Sequence, residues 1–166
     1  MAAGNTYTPI ATTTISNSST NDIIFSSISG SYTDLILIFN GGEDSNVREL
    51  QLRVGNNSID SGSNYSDTRL VGSGGAASSS RHSNATFIEN VVGNEFCTAI
   101  YYFNNYSNTT TYKTILSRTA YASDRTSAYV GLWRSTSAIN RIQLLCEGAS
   151  TFISGSTFTL YGITEA

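Results

Sequence analysis

Apolar residues in this chain recur at every second position in short runs, and turn-forming residues separate each run from the next. Leu50, Leu52 and Val54 alternate with Gln51 and Arg53. Ala128, Val130 and Leu132 alternate with Tyr129, Gly131 and Trp133, and Phe158 and Leu160 with Thr157, Thr159 and Tyr161. A period of two is the signature of a pleated strand, whose successive side chains face opposite ways. The pattern predicts strands over roughly 8–15, 22–28, 32–40, 47–54, 66–71, 85–92, 96–104, 112–121, 127–134, 140–146 and 157–163. The run Leu35-Ile36-Leu37-Ile38-Phe39 does not alternate and is expected to be a central strand covered on both faces. Between the runs lie Asn40-Gly41-Gly42, Gly55-Asn56-Asn57, Ser61-Gly62-Ser63-Asn64, Gly93-Asn94 and Ser154-Gly155-Ser156, the residue types that tight connections favour.

Composition agrees. Ser and Thr make up roughly 28% of the 166 residues, and Lys113 is the only lysine, so surface helices lack their usual material. A charged fraction of 13% is about half the usual ~25%. About ten short strands in a chain of one-domain length predict an all-β fold, an antiparallel β-sandwich of jelly-roll type. Residues 14–166 are expected to form that single domain, with 1–13 as an N-terminal arm or first strand preceding and including Pro9, the sole proline. The Ser/Gly-rich stretch 72–84 has almost no apolar residue and is expected to be an exposed loop.

Charge and hydropathy narrow the partners. The net charge is −3 and the eight arginines are scattered, which is no footprint for nucleic acid. The longest apolar run is too short to cross a bilayer, and the first residues lack the basic start and apolar stretch of a secretory signal. Cys97 and Cys146 both fall on strand positions and are expected to be buried thiols, although spacing alone leaves a disulfide open.

Motifs for chemistry are sparse. His82, the only histidine, lies in the Ser-rich stretch with no nucleophile-elbow pattern around it. Gly72-Ser73-Gly74-Gly75 lacks the lysine and helix of a phosphate cradle. The acidic loops Asp60–Asp67 and Gly42–Asn46 offer oxygen ligands without the spacing of a calcium loop. No metal, cofactor or catalytic set is therefore expected. Ten tyrosines supply either core or stacking surface. The candidate interface or glycan contacts are Tyr7, Pro9, Tyr106, Tyr112, Trp133 and Arg134.

Several segments together resemble small structural proteins of tailed bacteriophages, especially phages of marine cyanobacteria. They are Tyr7-Thr8-Pro9-Ile10-Ala11, Gly30–Leu37, Gly62–Leu70, Asn105–Thr114, Val130–Asn140 and Gly155–Ile163. They run through nearly the whole chain in order. The resemblance implies a non-enzymatic virion protein, assembled in the host cytoplasm and placed on the particle surface. A compact single domain without fibre repeats suits a capsid cement or decoration protein, expected as a homotrimer on the major capsid protein lattice. The other expectation is a tail-fibre or receptor-binding module whose tyrosines touch host-surface glycan. Residues 1–13 are a candidate for docking by strand addition.

Overall fold

The computed structural model describes residues 6–44 and 49–164. Residues 1–5 of the expected arm, Ser45 and Asn46 of the second acidic loop, and the first two positions of the strand expected at 47–54 lie outside them. The described residues form thirteen strands and no helix: β1 (Tyr7–Thr14), β2 (Asp22–Phe25), β3 (Asp34–Gly41), β4 (Glu49–Asn56), β5 (Ser58–Ile59), β6 (Tyr65–Ser73), β7 (Ala76–Ala85), β8 (Ile88–Val91), β9 (Cys97–Phe103), β10 (Lys113–Tyr121), β11 (Arg125–Trp133), β12 (Arg141–Cys146) and β13 (Thr157–Ile163).

All pairings are antiparallel. One sheet has eight strands in the order β1-β13-β3-β9-β10-β11-β6-β7. The other has five: β2-β12-β4-β5, with β8 paired to β4. The chain is thus an antiparallel β-sandwich, split eight against five rather than evenly as in an eight-stranded jelly roll. The alternation explains the layers. Leu35, Leu37, Phe39, Ala99, Tyr101, Phe103, Phe158 and Leu160 of the large sheet meet Leu50, Leu52, Val54, Ile142 and Leu144 of the small one in a single core. Phe39, Phe158 and Phe152 form a three-ring cluster, with the Phe158 and Phe152 centroids 4.9 and 5.8 Å from that of Phe39 and 4.8 Å from each other. The central position of β3 agrees with its unbroken apolar run, since Ile36 on the opposite face is also buried.

Residues 72–84 are not a loop. They supply the end of β6, a two-residue turn at Gly74-Gly75 and most of β7, joined in register from Ser73↔Ala76 to Ser66↔Ser83. Serine is a poor strand former by itself. Here the ladder to β6 holds it, and Gly74 at φ +57° gives the turn that fits the twist of a hairpin. Asn84, at φ +55°, is the extra residue of a bulge where the hairpin ends. At the other end of the sheet, the first strand lies flat on β13, from Tyr7↔Ile163 to Thr14↔Thr157. Cys97 and Cys146 are buried free thiols.

Candidate functional site

Strands β10, β11 and β6 place Ile115, Tyr121, Trp133 and Tyr65 in the core, but midway along them polar groups face inward and apolar ones outward. Facing the interior are Ser117 and Thr119 of β10, Ser127 and Tyr129 of β11, and Asp67 of β6, all buried. Facing solvent are Leu116, Val130 and Leu70, exposed by 39, 52 and 62%, with Ala128 beside them. The register sets them side by side, Leu116 opposite Val130 and Leu70 opposite Ala128. On the same face the Arg118 guanidinium donates to the Tyr102 hydroxyl at 3.2 Å. Leu70, Tyr102, Leu116, Arg118 and Val130 rim a hollow of about 470 Å³. Exposed apolar residues gathered in one place on a sheet mark a contact surface.

The buried polar side is satisfied in part. Ser117 donates to the Asn90 side-chain oxygen at 2.6 Å, and Thr119 and Ser127 share a hydrogen bond. Arg69 of β6 pairs with Glu89 of β8. His82 of β7 has its Nδ1 3.4 Å from Asp67 Oδ1 and 3.6 Å from Glu89 Oε2. Asp67 is 1% exposed and makes no hydrogen bond. Burial pushes its pKa above the usual carboxylate range, against the pull of the His82 charge. His82 therefore ties the edge hairpin to the sandwich.

Glu43 is a second buried acid. It is fully enclosed, and the Cys146 thiol, a weak donor, faces its carboxyl. Burial, with the charges of Glu147 and Asp44 adding to it, pushes its pKa up to about 8, so the group is neutral at pH 7. Burial likewise pushes up the Cys97 and Cys146 thiols, which makes both inert at neutral pH.

The two acidic loops use their carboxylates internally. Asp60 accepts from Gly62 N at 2.8 Å, Asn64 Nδ2 at 2.9 Å and Trp133 Nε1 at 2.8 Å. Asp44 accepts from both the backbone and the hydroxyl of Thr151, each at 2.8 Å. These bonds hold both carboxyls below their ordinary value. Among the described residues no group of three potential ligands has the geometry to hold a metal ion.

The six residues singled out in the sequence fall into two groups. Tyr106 and Trp133 are buried, at 0 and 3% exposure, so neither ring offers a stacking surface. Tyr106 donates its hydroxyl to the Ser29 carbonyl, and Trp133 anchors the Asp60 loop. Arg134 is half-buried and bridges Ser63 O at 2.6 Å to Asn84 Oδ1 at 3.2 Å. Tyr7 and Tyr112 are exposed by 57 and 55%, and Pro9 is exposed. The register puts Tyr7 and Tyr112 toward the same end of the large sheet, but four strands apart, or roughly 19 Å at the ladder spacing. They do not form one site.

The exposed apolar patch of Leu70, Leu116 and Val130 was not among the sequence candidates. Its signal was present at 128–133, where both phases of the alternation are apolar. A comparison with protein-family models finds no match for this chain, and a comparison with curated proteins finds none either.

Proposed function

We propose that this chain is a non-enzymatic building block of a bacteriophage particle surface, a capsid decoration protein that associates with copies of itself and with the major capsid protein. One observation carries the reading: midway along β10, β11 and β6, Leu116, Val130 and Leu70 face outward while Ser117, Thr119 and Ser127 face inward. A domain that keeps Leu70, Leu116 and Val130 in water gains their burial only when another surface covers them, at roughly 25 cal/mol per Å² of apolar area. The resemblance of the segments quoted above to phage structural proteins supplies the kind of partner.

The test is attachment. Purified particles should carry the protein in hundreds of copies by gel densitometry. The paired substitution Leu116→Ser and Val130→Ser should abolish rebinding to stripped particles while leaving the thermal melt in place. Absence from mature particles, or unchanged rebinding, would overturn the proposal.

A receptor-binding module is the second reading, favoured by the hollow in which Tyr102, held by Arg118, adjoins Thr68 and Asn104. Aromatic and amide groups around a shallow depression suit a sugar. Specific binding on a glycan array, lost on Tyr102→Ala, together with a few tens of copies per particle, would move the assignment to the tail.

A further inference from the structure

The large sheet has two open edges, and they are built differently. At one, β1 is interrupted: Pro9 has no N–H to offer, and Ile10 bulges between Pro9 and Ala11. Prolines and bulges are the usual devices that keep an edge from pairing with a foreign strand. At the other, β7 runs ten residues with no proline and no lysine, and its single bulge comes only at Asn84. Residues 76–81 are exposed throughout.

Its backbone polarity follows from the turn. A two-residue hairpin makes the flanking residues, here Ser73 and Ala76, a hydrogen-bonded pair, and alternate residues beyond it direct their N–H and C=O away from the partner strand. Counting from Ala76, residues 76, 78, 80 and 82 bond to β6. Ala77, Ser79 and Arg81 direct their N–H and C=O to the open edge. This is a ladder lacking its second rail.

We infer that β7 joins two copies of this chain, antiparallel, into one continuous sheet. Three features commit the occupant to a second copy. Positions 76–80 are all alanine or serine, so another backbone reaches the ~4.8 Å ladder spacing without obstruction, and the segment read backwards presents the same small side chains. The charged or chargeable groups of β7 are Arg81 and His82, with no acid among them. A two-fold register centred on Ser79 or Ser80 sets Arg81 opposite Ala77 or Ser79, whereas a register centred on Arg81 would set like charges together. The seam also continues the apolar face. Leu70, Ala77, Ser79 and Ala128 line a hollow of about 560 Å³ along this edge, and the Arg81 stem of the second copy lies over it.

The inference rests on the reading that the chain works by adhesion, and it replaces the three-fold association that the resemblance implied with a two-fold pair. An edge seam this short is small beside the ~800 Å² per partner of a standard interface, so association in the tens of micromolar is expected.

The experiment uses the purified full chain. Sedimentation from about 1 to 100 µM should show a monomer–dimer equilibrium. Ser79→Pro should shift it at least tenfold toward monomer without lowering the melting temperature, because the Ser79 N–H plays no part in the β6–β7 ladder. Mild oxidation of the S79C or S80C variant should trap a covalent dimer in at least one case, and L116C should trap little. A monomer throughout, a trimer, a dimer indifferent to Ser79→Pro, or equal trapping by L116C would each overturn the inference. The Leu116→Ser, Val130→Ser variant separates the two proposals, since it should lose particle binding and still dimerise.

Discussion

The two halves of the large sheet solve opposite problems. In the half formed by β13, β3 and β9, the interior carries Leu160, Phe158, Leu35, Leu37 and Phe39, while the outer face mixes Thr157, Thr159 and Asn40 with Ile36, Ile38 and Tyr161. In the half formed by β10, β11 and β6, Ser117, Thr119, Ser127 and Asp67 face inward among Tyr65, Ile115, Tyr121 and Trp133, and Leu116, Val130 and Leu70 face outward. The first half contributes aliphatic and phenylalanine side chains to the core. The second adds Tyr65, Ile115, Tyr121 and Trp133 to it, together with a polar network reaching to β8, and leaves Leu116, Val130 and Leu70 exposed. On the proposed function, the outward residues of β10, β11 and β6 can be altered with limited effect on the core that the inward residues of both halves share.

The largest expected effect lies in the first half. Phe39→Ala removes a ring packed against Phe158 and Phe152 and should cost about 3–5 kcal/mol, read from denaturant unfolding. A loss under ~1 kcal/mol would mean that the core is not where the burial places it.

Glu43 comes next, because it makes stability depend on pH. Its folded pKa of about 8 stands above the ordinary 4.5, so the unfolded chain releases this proton first as pH rises. Stability should therefore be full below about pH 4.5, fall between there and pH 8, and then level off, by on the order of 5 kcal/mol. Glu43→Gln should flatten that fall in pH-resolved melts. An unchanged slope would assign it elsewhere.

Gly131 tests the second half. It lies on the inward face of β11, where an added Cβ would stand 2.4 Å from Ile88 Cδ1. Gly131→Ala should push β8 away and cost about 1–3 kcal/mol, with faster amide exchange at Glu89 and Asn90 as the local signature.

The smallest effect sharpens the contrast most. Val130→Ser on the outward face of the same strand should change monomer stability by less than about 0.5 kcal/mol. A loss of several kcal/mol would show that this face is covered within the monomer, and the division between the halves would fail.

Much of the architecture was readable before any coordinates. The strands at 97–103, 113–121, 141–146 and 157–163 lie within a residue or so of their expected limits, because each combines alternation with flanking turn residues. β7 was invisible for a physical reason. Its serines bury nothing, so no hydrophobic period marks it, and only the cross-strand ladder to β6 makes it a strand. Trp133 and Tyr106 were read as contact candidates because a residue's type does not say which way it faces. The register points Trp133 inward, while Tyr106, beyond the end of β9, is turned in by its bond to the Ser29 carbonyl.

What the sequence determined by itself is the period: backbone sterics fix two residues per repeat, so alternating side chains and glycine- or asparagine-rich breaks dictate an all-β chain. What only the tertiary structure decided is which phase of that alternation meets the opposite sheet. At 128–133 both phases are apolar, and a shift of one residue would exchange them. The choice was made by long-range pairing, through Gly131 admitting Ile88 and Asp60 holding the Trp133 indole, and it left Val130, Leu116 and Leu70 on the outside.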